Sequence, residues 1–396
     1  MKNIRVAINA ITELTAKYGS HVYTIDLARE LSRVGTIDLI VLVGKGQKSL
    51  LPVELQSSAR EIPISASRSY LQLFCQGQIQ EILEKECVDV YHLPNTLPLT
   101  RGPVPTIITI HDLAELRVRK YGFLRTTYRW VLNYIAANKA DHVLTVSENS
   151  KRDILRTLRI SSEKVTVTYV GVDNRFRVRD RSECRHHIRK GYGIDSEFLL
   201  ATGGFSRNKN TGNLLLAFKD LVRSGIQLLL VVTGYGRHDE RQRIVRQIKD
   251  LNLENSVVLT GYVDGTEMPF FYGASSAVIY PSLYEGFGLP VVESMASGAP
   301  LIVSNRSSLP EVVGNAGLFV NPEDPKAIAD AVRRLLSDSN IRETNINRGL
   351  QRAELFRWDR IVTKTIQVYR DAVTRRIEGP AFVKPQKNLA GGYEQR

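Results

Sequence analysis

IYPSLYEGFGLPVVESMASGAPLIVS, residues 279–304, reads as a complete strand–helix–strand unit. An apolar run ends at Pro281, and a glycine-bearing loop, Glu285-Gly286-Phe287-Gly288, follows it. Pro290 stands where a first helical residue belongs, since its fixed φ suits the first turn and its missing N–H would have no partner there anyway. Gly298 closes the segment, so the spacing predicts a helix of about eight residues. A second apolar run, APLIVS (299–304), then completes the unit.

The same alternation extends in both directions. Around this segment lie FLLATGG (198–204), QLLLVVTG (227–234), SVVLTG (256–261), SAVIYPS (276–282) and GLFVN (317–321), with helical patterns between them. An earlier series holds IRVAI (4–8), DLIVLV (38–43), VDVYHL (88–93), PTIITI (105–110), DHVLTV (141–146) and KVTVTYV (164–170). Its first helical stretch, HVYTIDLARELSRVG, places Val22, Ile25, Leu27, Ala28 and Leu31 at mostly i, i+3, i+4 spacing. Further helices are expected at about 70–86, 124–138 and 148–158. Continuous apolar strands between amphipathic helices predict parallel sheets covered on both faces. The fold class is therefore α/β, with two doubly wound, Rossmann-like domains facing across a cleft. The expected boundaries are 1–175 and 176–355, with a charged, glycine-containing linker at about 172–195. A last amphipathic helix is expected over 356–376, packing back toward the first domain, and then a polar, frayed tail over 377–396.

Composition narrows the function classes. The chain has 396 residues, 54 Lys and Arg against 41 Asp and Glu, and a formal net charge of +13. At 43 % hydrophobic and 24 % charged it is ordinary globular material, long enough for two cores. The excess charge is spread over both halves rather than held in one arm. Two stretches are locally basic: 117–129, with Arg117, Arg119, Lys120, Arg125 and Arg129, and 175–190. No recognition motif accompanies them, so nucleic acid is not an expected partner. The first stretch is interleaved with Tyr121, Phe123, Tyr128 and Trp130, which fits either contact with an anionic membrane or a helix with one aromatic core face. No apolar run approaches the ~18 residues of a membrane span. The start, MKNIRVAIN, enters a strand pattern at once and shows no signal-peptide core. Cys75, Cys87 and Cys184 are scattered and unpaired in pattern, which fits neither a disulfide framework nor a zinc site. The expected location is the cytoplasm, at the inner membrane face if 117–129 rests on lipid.

The chemistry centres on 279–304. A helix N-terminus offers unpaired N–H groups and the positive end of its dipole, and flanking glycines let a ligand approach the backbone, which suits a diphosphate. Glu285 in the loop can accept hydrogen bonds from sugar hydroxyls, and Glu293, eight positions on, can take both hydroxyls of a ribose. Two surface glutamates around an ordinary helix start would give the same spacing. Lys209, after one strand and before a helix, can reach a diphosphate from the opposite side as a point charge. His111 ends the strand ITIHD at the edge where ligands bind in such sheets, although a lone histidine there is more often structural. Asp112 can simply cap the next helix. Gly19, between Tyr18 and Ser20, suggests a loop that closes over the diphosphate or the acceptor. No Asp-x-Asp stands in a metal-like context, and no metal is expected.

EGFGLPVVE resembles the E-x7-E signature of retaining glycosyltransferases of family 4, which have the GT-B fold. The flanking GYV (261–263), YPSLYEGFGLPVVESMASGAP and SSLPEVVGNAGLFVNPED resemble the same family. So, less closely, do ITIHDL (108–113), TVSENSKRDIL (145–155) and VGVDNRF (170–176). The resemblance implies that a hexose passes from a nucleotide sugar to a glycan or lipid-linked acceptor with its anomeric configuration retained. It also implies that no metal or other cofactor is required. The first domain would receive the acceptor and the second the nucleotide sugar. Glu293 then matches the ribose-binding acid and Glu285 the acid near the donor sugar. The amides of Gly286, Phe287, Gly288 and Leu289 match the part that holds sugar hydroxyls and phosphate. Lys209 matches a phosphate-binding cation, His111 a histidine at the donor sugar, and Gly19 a glycine-rich loop. Tyr262 and Val263 lie where the family seats the base. The chain departs from the pattern at Gly204, where an arginine is common; Arg207 is the nearest substitute. YEGFGLP with HDL resembles bacterial mannosyltransferases, which favours GDP-mannose, with a UDP-sugar next.

Other classes fit less well. Gly44-Lys45-Gly46 and Gly234-Tyr235-Gly236 each lack the third glycine of a dinucleotide fingerprint, with Ser49 and Asp239 in its place. An epimerase or phosphorylase could share the architecture. The non-enzyme alternative is a catalytically inactive sugar-nucleotide-binding or scaffolding protein of the same fold, against which stand the intact Glu285, Glu293, Lys209 and His111.

Overall fold

The computed structural model describes residues 3–11, 19–62, 76–95, 102–117 and 123–378. Two parallel sheets form, because each β-branched apolar run is flanked by amphipathic helices able to cover both faces. The first contains β1 (Ile4–Asn9), β2 (Ile37–Gly44), β3 (Ala59–Ile62), β4 (Val90–Leu93), β5 (Thr106–Thr109), β6 (His142–Thr145) and β7 (Val165–Val167). Their order is β3-β2-β1-β4-β5-β6-β7. The second contains β8 (Phe198–Ala201), β9 (Leu229–Thr233), β10 (Val257–Gly261), β11 (Ala277–Tyr280), β12 (Leu301–Ser304) and β13 (Leu318–Val320), ordered β10-β9-β8-β11-β12-β13. Each order reverses once, between β1 and β4 and between β8 and β11. Loops leave the carboxyl ends there in opposite directions and open a crevice.

The charged stretch at 172–195 is not a plain linker. It contains a helix, Arg181–Tyr192, capped by Asp180, whose side chain accepts the Glu183 N–H at 2.9 Å, and ended by Gly193. Only Cys184 and Ile188 of this helix are buried, against the helix Met268–Ala274, so its apolar periodicity is too thin to stand out among the charges. Much of the basic charge here is paired: Arg181 and Arg185 with Glu197, Arg175 with Asp173. β3 also went unforeseen, being a four-residue edge strand of sequence AREI. The helix expected at 70–86 is described as Gln76–Lys85; residues 70–75 lie outside the described residues, as does Cys75. The helix expected at 124–138 spans Phe123–Lys139. On it Tyr128, Trp130 and Tyr134 are exposed rather than core, with Trp130 stacked on Tyr134 at 5.4 Å, while Arg119, Lys120 and Tyr121 lie outside the described residues.

The last helix, Trp358–Glu378, lies against the helix Gly19–Ser32 and β4. The buried Tyr369 hydroxyl meets His92 Nδ1 at 2.7 Å, and Arg376 donates to the carbonyls of Gly102 and Pro103. The tail from 379 on lies outside the described residues. Among the described residues no helix is long and apolar enough to cross a membrane.

The two halves meet at the start of the helix Glu148–Leu158. Ser147, its N-cap, accepts the Ser150 N–H at 3.0 Å and donates to the Gly286 carbonyl at 2.6 Å. Ser150 Oγ donates to the same carbonyl at 3.2 Å, and Tyr284 donates to Asp153 at 2.7 Å. Glu311, from the second half, accepts the Glu148 and Asn149 N–H groups at 2.7 and 3.0 Å. A carboxylate at this end satisfies two orphan donors and complements the helix dipole. Glu311→Ala is therefore expected to lower the stability of the interface by about 1–2 kcal/mol. An earlier denaturation midpoint and a larger radius of gyration in solution scattering would show it; unchanged scattering would mean that the contact does not hold the halves together.

Candidate active site

The crevice of the second sheet lies between the loops that follow β8 and β11. After β8 the chain bends through Gly203 and Gly204 into a tight turn at Arg207–Lys209, and then enters the helix Thr211–Arg223. The turn is pinned to the loop beyond β11. The Leu283 N–H donates to the Asn208 carbonyl at 2.7 Å, and Asn210 Nδ2 donates to the carbonyls of Pro281 and Pro322. That clamp aims Lys209 across the crevice. Its Nζ lies 2.8 Å from Glu285 Oε1 and 2.8 Å from the Tyr280 hydroxyl. Both side chains of the ion pair are largely buried. Burial alone would lower the Lys209 pKa, but Glu285 and Tyr280 outweigh it and hold the lysine above its ordinary value.

Glu285 is fixed through its backbone. Its N–H donates to Ser307 Oγ at 2.8 Å, and its carbonyl accepts from Ser307 and Ser308. Gly286, Phe287, Gly288 and Leu289 follow, and the helix Leu289–Ala296 starts with Gly288 as N-cap at φ 94°. Gly286 is pressed against the first domain: a Cβ there would come 2.6 Å from Asp112 Oδ2 and 3.0 Å from the His111 carbonyl. His111 thus lies beside the loop that carries Glu285. Its ring meets the edge of Tyr23 with centroids 4.9 Å apart, and its buried Nε2 has no hydrogen-bond partner among the described residues. Burial lowers its pKa to about 4, so the ring is neutral at pH 7. Asp112 accepts the Ala114 N–H at 2.8 Å and caps the short helix Ala114–Arg117.

Glu293 lies on the inner side of its helix and accepts from the Tyr272 hydroxyl at 2.9 Å. Burial raises its pKa to about 7; the Tyr272 bond and Arg175 pull it down, while Asp26 and Asp173 push it up. Asp26, on the helix Gly19–Ser32, is raised to about 6, chiefly by burial. Among the described residues no group of three or more His, Cys, Asp or Glu side chains could hold a metal ion.

Two family models match the chain: "Glycosyltransferase Family 4" over residues 18–176 and "Glycosyl transferases group 1" over 185–352. The O-antigen chain mannosyltransferase B of Escherichia coli is 31 % identical over 71 % of this chain and 74 % of its own length. The chain belongs to the glycosyltransferases of family 4. The O-antigen chain mannosyltransferase RfbU of Salmonella typhimurium is 30 % identical over 61 % of this chain and 63 % of its own. Among solved structures, HepE of Anabaena in complex with UDP and glucose is 19 % identical and superposes with a TM-score of 0.74 over 93 % of this chain and all of its own. Sucrose-phosphate synthase of Thermosynechococcus elongatus gives 0.76 at 21 % identity, over 94 % of this chain and all of its own. The fold is GT-B, and the protein is a hexosyltransferase.

In this glycosyltransferase Lys209, Glu285, the stretch Gly286–Leu289 and His111 come together, and Glu293 lies along the same helix. Gly19 is the first residue of its helix rather than part of a loop before it, and Tyr18 lies outside the described residues. Arg207 is exposed in the turn that buries Lys209. Tyr262 follows β10 and stacks on Tyr235 at 5.3 Å, beside the buried Val263. Sequence reasoning missed Tyr280, Tyr272, Asn208 and Asn210, whose partners are 20 to more than 100 positions away. Only the run of polar residues after Gly204 hinted at the asparagines.

The departure at Gly204 has a steric cause. Its φ is 84°, and a Cβ would stand 1.7 Å from the Tyr235 carbonyl oxygen. An arginine cannot enter without displacing the β9 loop. Gly204→Arg is therefore expected to destabilise the protein by more than about 2 kcal/mol rather than to restore a phosphate cation. Thermal melting measures it, and a variant as stable as the parent would contradict the packing.

Glu293 also sets a pH dependence. Its folded pKa exceeds the unfolded value of 4.5, so its contribution is complete below pH 4.5 and is lost as pH rises through 7. Asp26 acts in the same direction at lower pH. Glu293→Gln should match the parent near pH 5 and become more stable than it by pH 8. A stability difference that stays flat between those values would rule out the raised carboxyl.

Proposed function

We propose that this glycosyltransferase transfers mannose from GDP-mannose to a glycan or lipid-linked hydroxyl, with retention and without a metal ion. The observation that carries the proposal is the convergence of Lys209 and Glu285 with the amide end of the helix Leu289–Ala296, facing His111 across the crevice. As the anomeric bond breaks, charge gathers on the departing diphosphate. Lys209 and the amides of Gly286 to Leu289 are the groups that meet it. Glu293 takes the ribose hydroxyls, Glu285 the hydroxyls of the donor sugar, and the backbone at Tyr262 and Val263 the base. His111, neutral and without a hydrogen-bond partner at Nε2 among the described residues, contacts the sugar near the reacting carbon. No carboxylate stands out as a covalent nucleophile, which favours front-face displacement with a phosphate oxygen taking the acceptor proton.

The two O-antigen mannosyltransferases among the relatives support mannose as the sugar and polysaccharide assembly as the setting. A UDP-sugar is the second reading, favoured by the UDP and glucose bound in HepE. The exposed Tyr128, Trp130 and Tyr134 support peripheral contact of the first domain with an anionic membrane from the cytoplasmic side.

A thermal-shift panel of GDP, UDP and ADP identifies the nucleotide, since a ligand selective for the folded state raises the melting temperature. Glu293→Ala is expected to abolish that shift. Glu285→Gln should keep nucleotide binding and lose transfer, and Lys209→Ala should lower kcat by about 10²–10³. Transfer that survives in all three variants refutes the assignment, and nucleotide binding without turnover on any acceptor favours the inactive scaffold.

A further inference from the structure

The amino edge of the second sheet carries a cavity of about 600 Å³, away from the crevice at the carboxyl edge. Glu197, just before β8, and Ser276, just before β11, line it. Those four-residue strands separate the two edges by roughly 13 Å. Arg179, Arg181 and Arg342 also face the cavity, the last from the helix Ser339–Ala353.

The charges here do not balance. Glu197 is the acidic residue of the lining, and it already accepts from Arg181, Arg185 and Ser276. Arg179 and Arg342 have no ion pair or side-chain hydrogen bond among the described residues. Arg179 Nε is buried without an acceptor, and its guanidinium rests on the Phe270 ring at 4.8 Å. Ser297, 4 % exposed, lines the same cavity, and its buried Oγ is unpartnered. Arg179 Nε and Ser297 Oγ are buried donors without acceptors, which is unfavourable, and an anion bound beside them would relieve both, with the half-buried Arg342 adding a second unpaired positive charge to the lining.

We propose that this cavity is a second binding site, for a small phosphate-bearing molecule, whose phosphate is held by Arg179, Arg342 and Ser297. Two unpaired guanidinium forks match a dianion better than a single carboxylate, and arginine meets phosphate oxygens in bidentate fashion. The volume falls within the ~300–1,000 Å³ usual for small-molecule sites, so it has room for a sugar beyond the phosphate. Tyr272 is common to both sites: it lines this cavity, and its hydroxyl donates to Glu293. The assignment does not rest on the donor or the reaction proposed above.

Equilibrium dialysis of the full chain against glucose 1-phosphate and inorganic phosphate tests it, with glucose as the neutral control. Both phosphates should bind and glucose should not. Arg179→Gln and Arg342→Gln should each weaken binding about tenfold, and the pair about a hundredfold. Lys209→Gln should leave this binding intact. Melting without ligand checks that the variants are folded, and Arg179→Lys, which keeps the charge, should lose less than Arg179→Gln. Binding that is unchanged in the double variant, that disappears only in Lys209→Gln, or that is absent with both phosphates overturns the site. So does retention on phosphatidylglycerol vesicles that depends on Arg179 and Arg342 while the soluble phosphates fail to bind.

Discussion

The carbonyl oxygen of Gly286 and the carboxylate of Glu311 take the hydroxyl and N–H donors at the start of a helix in the opposite domain. That contact sets how the wall of the crevice carrying His111 faces the wall carrying Glu285. It requires a residue without a side chain at 286, because Asp112 and the His111 carbonyl stand where a Cβ would go. The glycine therefore brings His111 and Glu285 into one neighbourhood, although they come from different domains. A bulkier residue would part the two walls of the crevice, whatever else was kept.

Within that frame Lys209 and Glu285 form a largely buried ion pair supported by Tyr280. Removing two charges from water is unfavourable, and their attraction repays it only with good geometry and further hydrogen bonds. The clamp of Asn208 and Asn210 on the β11 loop supplies the geometry. Such a pair adds little to stability, but it holds a cation at a fixed place without a later reorganisation, which is what a developing negative charge needs. Glu293 shows the complementary effect. Burial raises its pKa to about 7, so the carboxyl is about half protonated at pH 7, and the field of Asp26, on a helix of the other domain, adds to the shift. The charge state of a residue in one domain is thus set partly by how the two domains meet.

The local chemistry was legible in the sequence. Fixed φ at Pro290, the glycines at 286, 288 and 298, and β-branched runs at regular intervals act over a few residues, so they foretold the eight-residue helix, the strands other than β3 and the doubly wound plan. The charged helix Arg181–Tyr192 was not legible, because just two of its side chains point inward and the chain between them reads as solvated surface.

What the sequence by itself determined is the set of elements and the kinds of groups they carry: a glycine-led helix start, two glutamates eight positions apart, a lysine after a strand. What only the tertiary structure decided is which groups meet. Tyr280 on Lys209, Tyr272 on Glu293, Tyr235 against Gly204, and Glu311 on a helix some 160 residues earlier are long-range contacts. The physical reason is that periodicity and turn preference are properties of neighbouring dihedrals, whereas burial, ion pairing and steric exclusion depend on distance through space. Space is assigned only when the sheets have closed on their helices.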